Sequence, residues 1–343
     1  EVLRGPFSAL YGNHSGGIVQ AFTEDGPADP TVSANYMFGS YGTQKIGLKF
    51  GGTYGRVNAV ASTSYMTTDG YRDRSSSERY LTNAKFGIKI DDRATLTISA
   101  SYLDQPLDQD PGVLTAAQVA QNRRQSNPNS TSADTRRSLD NKQIGVVYDR
   151  QLSATDSFRA MVYGGERNNI GYLFIAGVPG VGGGLPGGRG GLSSGGVSSL
   201  ARQFGGVGGR WTLSTTLFGN QPLTVTAGAD YDVAGEDRKG YVNESGGIGA
   251  LKRNEFNRVH SWGTYGQAEW TPISTVTGFA GLRYTRVKVQ SSDYFVAGVN
   301  PNDSGAAHFS AWTPVIGALV RVTPLTNVYL NAGRSFETPT LIE

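Results

Sequence analysis

Hydrophobic and polar residues alternate with a period of two along most of this chain. Ala94, Leu96, Ile98, Ala100 and Tyr102 alternate with Thr95, Thr97, Ser99 and Ser101. Thr82, Ala84, Phe86, Ile88 and Ile90 alternate with Asn83, Lys85, Gly87 and Lys89. Leu223, Val225, Ala227, Ala229, Tyr231 and Val233 alternate with Thr224, Thr226, Gly228, Asp230 and Asp232. A side-chain period of two puts each set on one face of a β-strand. Aliphatic residues on one face with Lys and Asp on the other suit a wall between lipid and water. A soluble sandwich also alternates, so strand length and loop pattern must decide. The pattern predicts about thirteen strands, near 31–39, 44–54, 56–68, 79–91, 94–104, 139–152, 156–173, 202–217, 223–242, 253–271, 276–294, 309–323 and 326–337. Most have ten residues or more, against ~5–6 in soluble sheets.

The connections alternate in length. Short turns fall at Gly55, Asp91–Arg93, Ser153–Thr155, Gly219–Gln221, Pro272–Ser274 and Pro324–Leu325. Long loops fall near 69–78, 105–138, 174–201, 243–252 and 295–308, the first hairpin at Tyr41-Gly42 being the exception. Short turns at one end and long loops at the other mark an outer-membrane barrel. Leu96, Ile98, Phe86, Ile88, Val225 and Ala227 are expected to face outward and be exposed. Lys85, Lys89, Asp230 and Glu269 are expected on the concave side. Tyr65, Tyr80, Tyr102, Tyr148, Tyr231, Trp270 and Tyr284 fit interfacial girdles, although aromatic residues favour strands in any case. One strand changes phase: Leu282 and Tyr284 are apolar at even positions, Val287 and Val289 at odd ones. Either a β-bulge lies near Thr285 or the strand has left the bilayer there; the second is expected.

Composition narrows the class. The 343 residues include 48 Gly, 17 Tyr, 14 Phe and no Cys, and 38% are hydrophobic, below the ~45–50% of an ordinary soluble domain. No apolar run reaches the ~18 residues that a membrane helix needs, which leaves a barrel open. Without Cys there is no disulfide and no Cys-based metal or redox site. A net charge of +3 is too small to indicate nucleic-acid binding.

The chemistry-bearing patterns are weak. Gly191-Leu-Ser193-Ser-Gly195 has the spacing of a nucleophile elbow but lies in a Gly-rich loop, without the flanking strand and helix. Gly182, Gly184 and Gly187 lack a βαβ unit. His14, His260 and His308 stand far apart, so no metal site is read. Asn300, Asn302 and Asp303 read as turn formers. No catalytic residue and no cofactor is expected.

The first 23 residues, EVLRGPFSALYGNHSGGIVQAFT, hold Arg4-Gly5-Pro6, Leu10-Tyr11-Gly12, Gly16-Gly17 and then Ile18. This run resembles the end of the plug domain of TonB-dependent outer-membrane receptors. Tyr329-Leu-Asn-Ala-Gly-Arg-Ser-Phe-Glu-Thr-Pro-Thr-Leu341 is similar to a barrel strand of the same family, and softer matches lie at 240–243 and 302–305. The resemblance implies an all-β chain, an antiparallel transmembrane β-barrel with about 13 of the family's 22 strands. Residues 1–25 would be the end of an N-terminal plug and 31–343 the N-terminal part of the barrel, together an internal fragment of a receptor. It also implies the cell outer membrane of a Gram-negative bacterium. The expected activity is import of a ferric siderophore by energy-coupled plug rearrangement, without enzymatic chemistry. The implied partners are TonB of the inner-membrane complex, a ferric siderophore or similar nutrient, and outer-membrane lipid and lipopolysaccharide, with no nucleic acid. Cobalamin or an oligosaccharide is the alternative cargo. A passive porin-like channel lacks a plug, so the 1–23 motif counts against it.

Two groups of site residues follow. Tyr71, Arg72, Arg74, Arg123, Arg124, Arg136 and Arg137 lie in or beside long loops, and Arg suits carboxylate or catecholate oxygens. They form a candidate ligand vestibule, or else ordinary solvated and lipopolysaccharide-facing charges. In the last strand Val328, Leu330 and Ala332 set the outward phase, which turns Glu337 inward. The resemblance places Arg4 inside the barrel and implies a plug–barrel lock between Arg4 and Glu337.

Overall fold

The computed structural model describes residues 2–4, 9–10, 17–175, 196–298 and 300–339. Two short strands, β1 (Val2–Arg4) and β2 (Gly17–Val19), pair antiparallel, with Arg4 opposite Gly17. The remaining thirteen strands form one antiparallel meander in chain order. They are β3 (Thr31–Phe38), β4 (Gln44–Tyr54), β5 (Val57–Thr68), β6 (Ser77–Asp91), β7 (Ala94–Gln109), β8 (Arg136–Gln151) and β9 (Asp156–Tyr172). After these come β10 (Gly196–Leu217), β11 (Gln221–Glu244), β12 (Gly247–Ile273), β13 (Val276–Asp293), β14 (Gly305–Thr323) and β15 (Thr326–Gly333). The sheet is not closed: β3 and β15 are its two edges among the described residues. The nucleophile-elbow and dinucleotide spacings at 182–195, and His14, lie outside the described residues.

The alternation placed every strand of this sheet, and the differences lie at the loop ends. The segment 243–252, expected to be a long loop, is a two-residue turn. Ser245 and Gly246 have φ of 53° and 90°, which suits a primed hairpin turn. The 24-residue β11 and 27-residue β12 continue up to it. A membrane needs only ~9–11 residues of strand, so both run well beyond it, where no lipid enforces a two-sided pattern. The loop between β7 and β8 holds two short helices, α1 (Ala116–Gln121) and α2 (Pro128–Ser132). Thr115 and Gln118 close a capping box on α1, and Asn127 caps α2. The last strand stops at Gly333 instead of reaching Glu337.

The packing is that of a wall. The largest hydrophobic residue buried among the described residues is valine, at 60, 197, 287 and 315, whereas Trp312 and Ile316 are 57% and 63% exposed. A sandwich would bury its largest side chains in a dry core; here only lipid makes the apolar face favourable. On the predicted outward face Phe86 and Ala227 are exposed, while Leu96, Ile98, Ile88 and Val225 are half-buried between neighbouring side chains.

Aromatic residues border the apolar band. Tyr231 pairs with Trp262 at its upper edge and Leu223 with Trp270 at its lower edge. Eight residues separate the two rows, about 27 Å along the strand and close to the ~25 Å apolar band of such barrels once tilted. Tyr284 bridges Trp262 and Trp312, with ring centroids 5.4 and 4.9 Å apart. Along β13 the pairing to both neighbours runs through Thr285 without a register shift. No bulge lies there, and Val287 and Val289 simply continue the inner face above the aromatic row.

Candidate functional site: the inner wall and the extracellular rim

The N-terminal segment lies against one face of the sheet, here the inner face. Residues 20–30 run along the inner side of β4, β5 and β6. Asn58 holds Gly26 from both sides: its Nδ2 donates to the Gly26 carbonyl and its Oδ1 accepts from the Gly26 nitrogen, both at 2.8 Å. Thr53 donates to the Pro27 carbonyl at 3.1 Å. Lys85 donates to the Thr23 carbonyl at 2.9 Å and pairs with Asp25 at 2.8 Å, while Lys49 pairs with Glu24. Glycine is required at 26, because a Cβ would overlap the Ala59 carbonyl oxygen and come within 2.9 Å of the Gly52 nitrogen. Lys85 and Lys89 lie on the inner side as expected, lining a cavity of about 550 Å³ with Phe22, Asp25, Asn58 and Arg159.

A second contact lies across the sheet on β11–β13. Ala9 is 2% exposed, and its nitrogen donates to Gln267 Oε1 at 3.1 Å. Gly281 leaves the room that Ala9 fills, since a Cβ there would sit 2.8 Å from the Ala9 Cβ. The Leu10 carbonyl accepts from Arg283 at 3.4 Å. Arg283, 3% exposed, is the centre of the group. It grips both Asp230 oxygens, at 2.9 and 2.6 Å, and donates to Thr285 Oγ1 at 3.0 Å. Its guanidinium lies 5.4 Å from the Tyr265 ring centre, over Gly263, where any Cβ would overlap it. Beside it Tyr163 donates to Asp232 at 2.5 Å. A buried charge with a two-pronged partner and further acceptors at Thr285 and the Leu10 carbonyl is the arrangement in which such a pair stabilises.

Asp230 was expected on this face; Arg283, Gln267 and Tyr163 were not singled out. Arg283 falls in the inward phase opposite Tyr265, one inward position from the Gly263–Thr285 pair, and an inward Arg with a Gly diagonally across was the signal available. Of the expected lock, Glu337 is exposed beyond the end of β15, and the side chain of Arg4 lies outside the described residues.

The seven residues expected to form a vestibule lie in or beside the loops at one end of the sheet, and most of the arginines hold loops together. Arg72 donates to the carbonyls of Gln125, Gly112 and Pro111 at 2.6–3.1 Å, fastening the β5–β6 loop to the β7–β8 loop. Arg74 and Arg136 share Asp134, and Arg136 also donates to the Gly246 carbonyl and stacks 3.8 Å from the Tyr172 ring centre. Arg137 pairs with Asp108 at 2.7 Å. Arg123 and Arg124 are exposed, Arg124 at 5.9 Å from the Tyr41 ring, which meets Tyr71 edge-on at 5.4 Å. The carboxylates that neutralise this rim, Asp108 and Asp134, stand at the two ends of the β7–β8 loop, and Asp134 reaches both its near neighbour Arg136 and Arg74, 60 residues away on the β5–β6 loop.

The model of the TonB dependent receptor-like β-barrel matches residues 82–343. Among solved structures, the ferric citrate transporter FecA in the unliganded form is similar with a TM-score of 0.78 and 19% identity, over 98% of this chain and 49% of that one. The open form of the ferric-catecholate import receptor Fiu from E. coli K12 gives 0.78 at 15% identity, over 98% and 59%. The siderophore receptor PiuA from Acinetobacter baumannii gives 0.73 at 13% identity, over 98% and 54%. Likeness at these identities shows the fold, and the chain spans about half the length of these proteins.

Proposed function

The chain belongs to the TonB dependent receptor-like β-barrel family of the outer membrane, and from that premise we propose that it serves the energised import of a ferric siderophore. The observation that carries this reading is the N-terminal segment docked on the inner wall through Ala9, Leu10 and the Gly26 tether. We read residues 1–25 as the end of a plug and 31–343 as barrel. A plugged barrel conducts nothing until the plug is displaced, which is the work assigned to TonB; a passive channel has no need of the contact. The ferric cargo is suggested by the ferric citrate, ferric-catecholate and siderophore proteins that share the fold. Among the candidate vestibule residues described, Arg123, Arg124 and Tyr71, with Tyr41 beside them, are the side chains proposed to meet an anionic complex. Arg4 and Glu337 are proposed as a further plug–barrel lock, which pulling must break.

The test is uptake of radioactive iron by cells carrying the intact receptor, supplied as ferric citrate or as a ferric catecholate. The expected result is accumulation from one of these that disappears when TonB is deleted and is not competed by cobalamin. Uptake indifferent to TonB would indicate a passive channel, and competition by cobalamin would indicate a different cargo.

A further inference from the structure

The wall beneath the 20–30 segment is cationic at its short-turn end, the periplasmic end of such a barrel. Pairing sets Lys89, Thr95, Asp149, Arg159 and Arg210 side by side in one inward row across β6–β10, and Lys85 stands two inward rows higher on β6. On β4–β10 the inward positions within 45–53, 58–64, 83–89, 95–101, 143–151, 157–163 and 206–212 hold a single acid, Asp149. Arg159 grips both oxygens of that acid, at 2.6 and 2.9 Å. Lys89 and Arg210 have no ion-pair partner among the described residues. The cavity of about 550 Å³ lies over this row, and its charged lining is Asp25, Arg56, Lys85, Lys89, Asp149 and Arg159.

Two further acids answer this wall, and both belong to the N-terminal segment. Glu24 pairs with Lys49 and Asp25 with Lys85. The lysine side chains are 39% and 21% exposed, the carboxylates 62% and 76%. The lysines are thus the seated members of each pair and the carboxylates face the water. Another anion can replace such a carboxylate without uncovering the wall, and exposed pairs of this kind hold weakly. Arg159–Asp149 and Arg283–Asp230 instead join wall to wall and stay when the segment leaves. Withdrawing residues 20–30 therefore removes two negative charges. It leaves Lys49, Lys85 and Lys89 unanswered on β4 and β6, with Arg210 beyond the Arg159–Asp149 pair.

We propose that this stretch of the inner wall is an exit station for a multiply charged carboxylate anion, occupied at rest by Glu24 and Asp25. Lys85 and Lys89 meet the anion, and Arg56 and Arg159 border it. Moving the segment uncovers the station as the lumen opens, so the step that clears the path also draws an anion toward the periplasmic end. The proposal rests on the reading of residues 1–25 as the end of a movable plug, and not on which cargo passes. Iron and TonB play no part in its test, so each reading can fail alone.

Thr97 lines the cavity, so Thr97→Cys in the intact receptor in detergent reports on it. Its modification by N-ethylmaleimide is timed against increasing iron-free citrate, with the receptor lacking that change as the blank. Glu24→Gln with Asp25→Asn should lower the citrate concentration that halves the rate by about five- to tenfold, the size of two exposed ion pairs. Lys85→Gln with Lys89→Gln in the same background should cancel that gain, and each single lysine substitution part of it, which covers misfolding of the double variant. Thr95→Cys repeats the reading one inward position away. An unchanged half-protecting concentration in the acid variant, or protection that survives the lysine changes, would overturn the proposal. Equal protection by uncharged glycerol would also overturn it, marking crowding of the cavity in place of anion binding.

Discussion

Arg283→Met is expected to lower the unfolding free energy of the receptor by about 3–5 kcal/mol, the cost of breaking a buried ion pair from one side. The substitution keeps length and apolar contact but leaves Asp230 facing its old partner's space. That carboxylate is only a quarter exposed in its side chain, and Arg283 supplies both of its oxygens with donors. Thr285 and the Leu10 carbonyl lose a donor at the same time. Removing both charges, as Arg283→Met with Asp230→Asn, should recover a large part of the loss, because a pair replaced together costs far less than a pair broken. Guanidinium unfolding of the receptor in lipid vesicles measures both. A single-variant loss below about 1 kcal/mol would mean that the pair is solvated and does not organise the inner wall.

Gly26→Ala should release the 20–30 tether. The other residues from 21 to 30 are exposed, so the segment is held by contacts from beneath and not by burial. The ion pairs of Lys49 and Lys85 join carboxylates that are 62% and 76% exposed, and such pairs contribute little. The two Asn58 bonds to the Gly26 backbone therefore dominate, at about 1 kcal/mol each. A Cβ overlapping the Ala59 carbonyl oxygen cannot be absorbed by rotating a side chain, since backbone meets backbone on both sides. Amide hydrogen exchange at Gly26 should accelerate by about 30-fold or more, equivalent to losing both bonds. Gly39→Ala is the control, because a Cβ there meets only Thr43 side-chain carbons at 3.6 Å or more. Unchanged exchange in the Gly26 variant would mean that the tether is held elsewhere.

The parts of this molecule that lipid constrains were legible in the sequence. Leu223–Val233 and Ala94–Tyr102 alternate because one side meets hydrocarbon and the other water, and the structure keeps that phase. Beyond the bilayer the rule lapses. The stretch Glu244-Ser-Gly-Gly-Ile-Gly looks like loop, yet hydrogen bonding between two very long strands keeps all but Ser245 and Gly246 in the sheet. Arg283 and Asp230 are separated by 53 residues and by a whole strand, so no local pattern joins them. The rim arginines were visible as charges, but their partners Asp108 and Asp134 were not. A charge advertises itself in sequence, and its neutralisation depends on the fold.

Because the chain has no cysteine, the two-faced wall is tested most directly by single-cysteine spin labelling in the membrane-reconstituted receptor. Labels at Ala227, Leu282, Ile316 and Ala318 should be relaxed by oxygen dissolved in lipid and shielded from a water-soluble nickel chelate. Labels at Thr226, Thr97 and Lys89 should show the reverse. Nickel access at Leu282 and Ile316 matching that at Thr97 would contradict a wall with lipid on one side and a docked N-terminal segment on the other.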